Sequence, residues 1–348
     1  MKPMYKISRR SFLQGAMAAA AASTLSLTGC GSAPASSSSA GYKVGIVNYV
    51  DHASLNQIVT SLENRLDELA QEKGVAFDYA GYEANAQGDQ SNLNQIGADL
   101  VADQVDVIVA VATPTAATML AAVEDTDIPV VYSAVTDPAA AGFAGEPNIT
   151  GTSDALNTQA IMELIFALNP ELDQLGLLYD LSQDSSKQAI ADAKAFCEGR
   201  GVRYIEKNGT TTAEVQMAAE ALIATGVKAV FTPTDNTIMT AELSIYETFI
   251  AAGVQHYTGA DSFALNGALV GYGVDYVQLG EATAEMVAQL LCDGKTPTDL
   301  PYQTFDSGIA TVNTETCAAL GLDLETVKEA FAPYSTEILE VTTSEEFA

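Results

Sequence analysis

The chain of 348 residues has no tryptophan, two histidines and four cysteines, and only 15 basic residues against 45 acidic ones. So little histidine and cysteine, with no C-x-x-C pair, excludes the common zinc ligand sets and a thiol redox centre. The shortage of Lys and Arg leaves a net charge of -30, which excludes a surface that tracks the phosphates of nucleic acid or anionic lipid headgroups. Long apolar runs are missing too. Beyond the first thirty residues no stretch approaches the roughly 18 consecutive apolar residues of a membrane-spanning helix. The G-x-S-x-G motif, the Walker loop, H-E-x-x-H and the dinucleotide glycine fingerprint are absent as well, so neither an enzyme nor a cofactor nor a metal is expected.

What the chain does have begins at its start. Ser8-Arg9-Arg10-Ser11-Phe12-Leu13 opens onto an Ala-rich apolar run and then Leu27-Thr28-Gly29-Cys30. A basic start, about a dozen small apolar residues and a small residue before the cleavage point make a secretory signal over residues 1–29. Its paired arginines resemble a twin-arginine export signal, with the general secretory route left open. Leu27-Thr28-Gly29-Cys30 resembles a bacterial lipobox, which makes Cys30 the site of acylation. Residues 30–41, rich in Ser, Ala and Gly, have the composition of a flexible tether. Loss of residues 1–29 removes Lys2, Lys6, Arg9 and Arg10 and moves the net charge from -30 to about -34, a value that favours solubility and repels anionic partners. The mature protein is thus expected outside the cytoplasm, a monomer held to the bacterial cell membrane only through its lipid. Cys197, Cys292 and Cys317 form an odd set, read mainly as small buried hydrophobes with one disulfide left open.

With 48% apolar residues the body can bury a large core, and its length suggests two domains. From Tyr42 short apolar runs alternate with longer stretches of 3.6 periodicity: 44–47, 77–82, 105–112 and 130–132 read as strands, and 55–73, 89–102 and 116–124 as helices. Near-continuous apolar strands mark a parallel sheet covered on both faces. After Asn148-Ile149-Thr150-Gly151 the series restarts. Gly45-Ile46-Val47-Asn48-Tyr49 is echoed by Gly176-Leu177-Leu178-Tyr179-Asp180, and Thr113-Pro114-Thr115 by Pro233-Thr234-Asp235. The expected fold is α/β, with two similar doubly wound parallel-sheet lobes joined by a hinge and a cleft between them.

In such sheets ligands bind beyond the carboxyl ends of the strands, and the polar residues gather there. Asn48, Tyr49 and His52 follow the first strand, Thr113-Pro114-Thr115-Ala116 the third, and Thr136 and Asp137 the fourth. The second half offers Ser185 and Ser186, Thr234-Asp235-Asn236, and Asp261. A hydroxyl residue before Pro makes Thr113 an expected N-cap, and a helix start attracts a carboxylate. Asp235, on the matching loop, either holds an ammonium or caps its own helix. Tyr49 either stacks on a flat ligand or covers the rim, and His52 and Asp137 read as loop residues as readily as ligand contacts.

Several segments together carry a family likeness: Val44-Gly45-Ile46 with Asp51-His52-Ala53-Ser54-Leu55, Thr113-Pro114-Thr115-Ala116, Ala134-Val135-Thr136-Asp137-Pro138, Asn148-Ile149-Thr150-Gly151, Pro233-Thr234-Asp235-Asn236, and Gly273-Val274-Asp275-Tyr276 before Gly280. They resemble the tryptophan/tyrosine type of ABC-transporter substrate-binding lipoproteins, in the periplasmic-binding-protein type I superfamily. The likeness implies a hinged receptor that captures a small solute and delivers it to an ABC permease. It also implies a first lobe of residues 42–153 plus about 276–299, and a second of 154–275 plus about 300–342, the two-lobe division that such sheets adopt. The chain departs from the family at Gln183-Asp184-Ser185-Ser186, where Glu-x-Asn-Ser is common, and at Asn56, where Asp is usual. The expected ligand is a free aromatic amino acid, its carboxylate on the helix start at 113–116, its ammonium on Asp235 and its side chain against Tyr49. A purine, nucleoside or sugar, and a sensor feeding a membrane kinase, are the alternatives the sequence leaves open.

Overall fold

The computed structural model describes residues 41–305 and 308–347; the secretory signal, Cys30 and the tether up to residue 40 lie outside the described residues. Strands and helices alternate. β1 (Gly41–Asn48) leads into α1 (Ala53–Lys73), followed by β2 (Ala76–Asp78), β3 (Glu83–Asn85), α2 (Gln90–Ala102), β4 (Val107–Val111), α3 (Thr113–Ala122), β5 (Val130–Ser133) and β6 (Ile149–Ser153). The second series runs α4 (Thr158–Leu168), β7 (Gln174–Tyr179), α5 (Asp184–Arg200), β8 (Arg203–Asn208), α6 (Thr212–Ala224), β9 (Ala229–Thr232), α7 (Asn236–Ala251), β10 (Gln255–Thr258), α8 (Asp261–Leu265) and β11 (Val270–Gly273). The last part comprises α9 (Tyr276–Cys292), β12 (Gln303–Thr304), β13 (Ile309–Asn313), α10 (Thr314–Ala319), α11 (Leu324–Phe331) and β14 (Glu337–Val341).

Two sheets result. The first has the order β12-β6-β5-β4-β1-β2, with β3 also on β1, and every pairing is parallel. The second runs β14-β13-β11-β10-β9-β7-β8 and is parallel except where β11 meets β13. All five residues of β4 and all six of β7 are buried, because helices cover both faces of each sheet and leave such strands no wet side. α1 turns Leu55, Ile58, Leu62, Leu66 and Leu69 inward, the three-and-four spacing of an amphipathic helix. It stops at Gly74, whose left-handed backbone (φ 67°) lets its N–H reach the carbonyl of Ala70.

The chain passes between lobes three times: from β6 to α4, from β11 to α9, and from β12 to β13. α9 returns to the first lobe and lies along α1, where Arg65 Nε donates to Glu285 Oε1 at 2.8 Å. Gly280 is the point of closest approach. A Cβ there would stand 2.0 Å from Ser61 Oγ and 2.4 Å from the carbonyl of Ile58.

Four features differ from the sequence expectation. The segment from about Leu300 was expected in the second lobe, yet Gln303 and Thr304 pair with Thr152 and Ser153 and extend the first sheet; the third crossing therefore falls after Thr304. The apolar run 77–82 is not one strand: β2 ends at Asp78, Tyr82 N–H bonds back to the carbonyl of Tyr79 in a turn, and β3 starts only at Glu83. α3 begins at Thr113 rather than at Ala116, so Thr113 is its first helical residue and Ala112 occupies the N-cap. β14 was unforeseen, since it is a half-exposed edge strand with no apolar run to announce it. The three described cysteines are free.

Overpacking the α1–α9 contact tests this arrangement. Gly280→Val is expected to lower the unfolding free energy by about 3 kcal/mol in denaturant melts, since the contact is backbone on one side and cannot yield. A change below about 0.5 kcal/mol, the size of an ordinary surface substitution, would contradict the packing.

Candidate functional site

The strand ends of both sheets face each other across a cleft, and side chains from opposite lobes meet there. Ser54 Oγ donates to Asp261 Oδ1 at 2.7 Å, and Thr136 Oγ1 lies 3.1 Å from Thr234 Oγ1. His52 Nδ1 accepts from Leu55 N–H and so caps α1. That leaves its proton on Nε2, which donates to Asn236 Oδ1 at 3.2 Å across the cleft; the tautomer follows from the hydrogen-bond network. Burial pushes the imidazole down to about 4, so it is neutral at physiological pH. The cleft is closed.

Inside it lies a cavity walled on its apolar side by Leu55, Met239 and Phe263. Phe263 has a firm backing. His256, behind it, lies between Glu242 Oε1 at 3.0 Å and Thr232 Oγ1 at 2.9 Å. Because Thr232 gives its own proton to the carbonyl of Leu178, His256 Nε2–H is the donor to it.

The polar side centres on Asp154, the first residue past β6 and hence on the first crossing. Its Oδ1 accepts from Thr136 Oγ1 at 3.1 Å, which makes Thr234 the donor in its own bond to Thr136. Tyr276, the first residue of α9 on the return crossing, lines the same cavity. Only 6% of Asp154 is exposed. Burial pushes its carboxyl up to about 7, against the bonds from Thr136 and its own backbone. No lysine or arginine is among the described residues that line the cavity.

The start of α3 faces the same space. No side chain caps it, and Thr113 Oγ1 is buried without a hydrogen-bond partner. Ala112 and Ala134, both lining the cavity, hold φ values of 77° and 55°. Such backbones cost an alanine on the order of 1–3 kcal/mol and cluster where function needs a fixed geometry. Ser185 Oγ, near the start of α5, is likewise buried without a partner.

Of the residues expected at the site, His52, Thr113, Thr136, Ser185, Thr234, Asp235 and Asn236 line the cavity. Asp235 does so with its oxygens already engaged. Oδ1 accepts from the N–H groups of Thr237 and Ile238 as the cap of α7, and Oδ2 from Asp180 N–H and Ser186 Oγ. Four donors fill a carboxylate, so Asp235 and Ser186 serve the lobe rather than a ligand ammonium. Pro114, Thr115 and Ala116 lie in the first turn of α3 off the cavity wall. Asn48 donates to Asn56 Oδ1 at 3.3 Å. Tyr49 donates its hydroxyl to the carbonyl of Gly88 at 3.4 Å and covers the rim. Asp137 folds back onto the N–H groups of Ala139 and Ala140, and Asp261 is taken by Ser54. Asp154 and the apolar wall were missed. Asp154 satisfies the rule that found the others, a polar residue just past a strand's carboxyl end.

Strand ends of two like lobes, sealed around a cavity by bonds from one lobe to the other, define a hinged binding protein that encloses its solute. The chain belongs to the ABC transporter substrate binding protein family, whose model matches residues 43–335. Residues 6–26 match the twin-arginine translocation pathway signal sequence, which marks the chain for export. It is similar to the tyrosine-binding protein of Clostridioides difficile (strain R20291), 28% identical over 286 residues, 80% of this chain and 81% of that protein. Among solved structures it is similar to an ABC domain in complex with L-Trp from Streptococcus pneumoniae, at 29% identity and a TM-score of 0.77, over 86% of this chain and 100% of that one. It is also similar to a ligand-free, open substrate binding protein from Clostridium difficile, at 27% identity and a TM-score of 0.64, over 87% and 100%. The higher score falls on the ligand-bound structure, in keeping with the closed cleft. The chain is therefore the solute-binding component of an ABC transporter, with a small molecule as cargo and a membrane permease as partner.

Asp154 links closure to pH. Unfolded, its carboxyl has the ordinary value of 3.8; closed and empty, about 7. Between those values the closed form holds a proton that the unfolded chain has lost, so this stabilising contribution is present at low pH and fades as pH rises through 7. Without ligand, the melting temperature of the wild type is expected to fall more between pH 5 and pH 8 than that of Asp154→Asn, which cannot ionise. Equal falls would show that Asp154 does not carry the proton.

Proposed function

We propose that the solute is a free aromatic amino acid, held as a zwitterion and enclosed by closure of the two lobes. One observation carries this reading: a buried carboxylate, Asp154, shares a cavity with the uncapped start of α3, and no lysine or arginine is among the described lining residues. A ligand ammonium on Asp154 supplies the missing cation, a desolvated charge pair that a neutral sugar or nucleoside cannot make. The ligand carboxylate rests at the start of α3, where the helix dipole and Thr113 favour an anion. The aromatic side chain lies against Leu55, Met239 and Phe263. Asp154 thus takes the role that the sequence assigned to Asp235, and Phe263 with its neighbours the one assigned to Tyr49. The names of two similar proteins, one binding tyrosine and one in complex with L-Trp, support the aromatic class.

In this reading Cys30 carries the lipid, and the segment to residue 41 lets the receptor reach a permease in the same membrane. Closure around the solute shifts the population that the permease meets.

Calorimetry against the twenty amino acids, nucleosides and simple sugars tests the proposal. Tyrosine and tryptophan are expected to bind, and Asp154→Asn to weaken them at least tenfold, since a buried charge loses its partner. Near pH 7 binding is expected to release protons as the ammonium lowers the Asp154 pKa, seen as a heat that varies with the buffer's ionisation enthalpy. No heat from any amino acid, or an unchanged Kd in Asp154→Asn, would overturn it.

A further inference from the structure

We infer that the ligand carboxylate is gripped by both lobes at once, between the start of α3 in the first lobe and the start of α5 in the second, with Ser185 as the closing contact. The inference rests on the zwitterion reading above and goes further, because it names the group that ties ligand to closure.

Among the described helices of eight or more residues, seven have a side chain bonded to a first-turn N–H: His52, Asp89, Asn157, Thr211, Asp235, Asp275 and Asp323 do this for α1, α2, α4, α6, α7, α9 and α11. α3 and α5 have none. Both open onto the same cavity, from opposite lobes, through Thr113 and Ser185. Each of these residues is more than nine-tenths buried, and each hydroxyl oxygen lacks a hydrogen-bond partner. Sealing two hydroxyls away from water without partners is costly. A group that accepts from both removes that cost.

The N-cap residue of α5 cannot serve instead. Gln183 Oε1 accepts from Asn236 Nδ2 at 3.2 Å, so it is turned away from its own helix. An anion between the two starts meets the positive ends of two helix dipoles and two hydroxyl donors, with no competing lysine or arginine among the described lining residues. A carboxylate has two oxygens and room for about four donors, enough to face both helices. The consequence is conformational. A ligand that touches one lobe binds open and closed forms alike and shifts nothing, whereas one bound by both lobes favours the closed form. The carboxylate therefore adds a closing contact to those of the ring, and Ser185 sets how strongly a ligand that carries it favours the closed form.

The test pairs tyrosine with tyrosinamide, which keeps ring and ammonium but replaces the anion by a neutral amide. Affinity is read by calorimetry and closure by the small-angle scattering radius at saturation, for wild type, Ser185→Ala and Ser185→Thr. Wild type is expected to bind tyrosinamide at least tenfold more weakly than tyrosine and to close less completely with it. Ser185→Ala is expected to weaken tyrosine by about tenfold and tyrosinamide by less than about twofold, while Ser185→Thr keeps tyrosine within about threefold. Ligand-free melting of each variant checks folding, and the two wild-type ligand arms stand without any variant. Equal losses for both ligands in Ser185→Ala, no loss for tyrosine, or full closure by tyrosinamide would overturn the inference and leave the zwitterion reading in place. Failure of the wild type to bind tyrosine at all would overturn both.

Discussion

The structure turns on one buried carboxylate at the hinge. Asp154 stands where the chain first leaves the first lobe, bonded to Thr136, and Tyr276, which lines the same cavity, stands where the chain returns. Two crossings thereby meet at a single acid that has no cation beside it among the described residues of the cavity wall. Burial without a counter-charge makes ionisation costly, as its upward pKa shows. With no cation beside it, the closed cleft must hold a proton there or open to water. A bound cation removes the conflict, and the solute becomes part of the closed structure rather than a passenger in it.

Around that acid the local backbone is arranged for binding at some expense to stability. Ala112 and Ala134 sit in left-handed conformations at the ends of β4 and β5, and the starts of α3 and α5 go without the side-chain caps that the other long described helices have. Elsewhere the chain follows the ordinary rules: strands buried on both faces, an amphipathic α1, Asp and Thr at helix starts. The departures meet in one cavity, a pattern expected when strain and unsatisfied groups are kept for a ligand.

The two-lobe architecture was legible in the sequence because near-continuous apolar strands recur in two echoing series, and the loops past their ends pointed at the right cleft. Edge elements were less so: β14 is half-exposed and shows no apolar run, and β12 forms where a strand was expected but joins the other sheet. Within the site, the limit was telling a cap from a ligand. Asp235 and Asp154 are both buried aspartates just past a strand, and only the fold shows four donors on one and, of side chains, Thr136 alone bonded to the other. Thr113 was singled out at a helix start as cap and carboxylate contact together; in the structure Ala112 holds the cap position and the Thr113 hydroxyl is left without a partner at the cavity. The apolar wall could not be read from periodicity, since Leu55, Met239 and Phe263 come from α1, α7 and α8 and meet only when the lobes close.

A crystal structure of the protein with bound tyrosine tests the central claim most directly. It is expected to place the ligand nitrogen within about 3 Å of an Asp154 oxygen, a charge-assisted hydrogen bond, while Asp235 keeps its four internal donors. A ligand whose nitrogen lies on Asp235, with Asp154 still bonded only to Thr136, would contradict it.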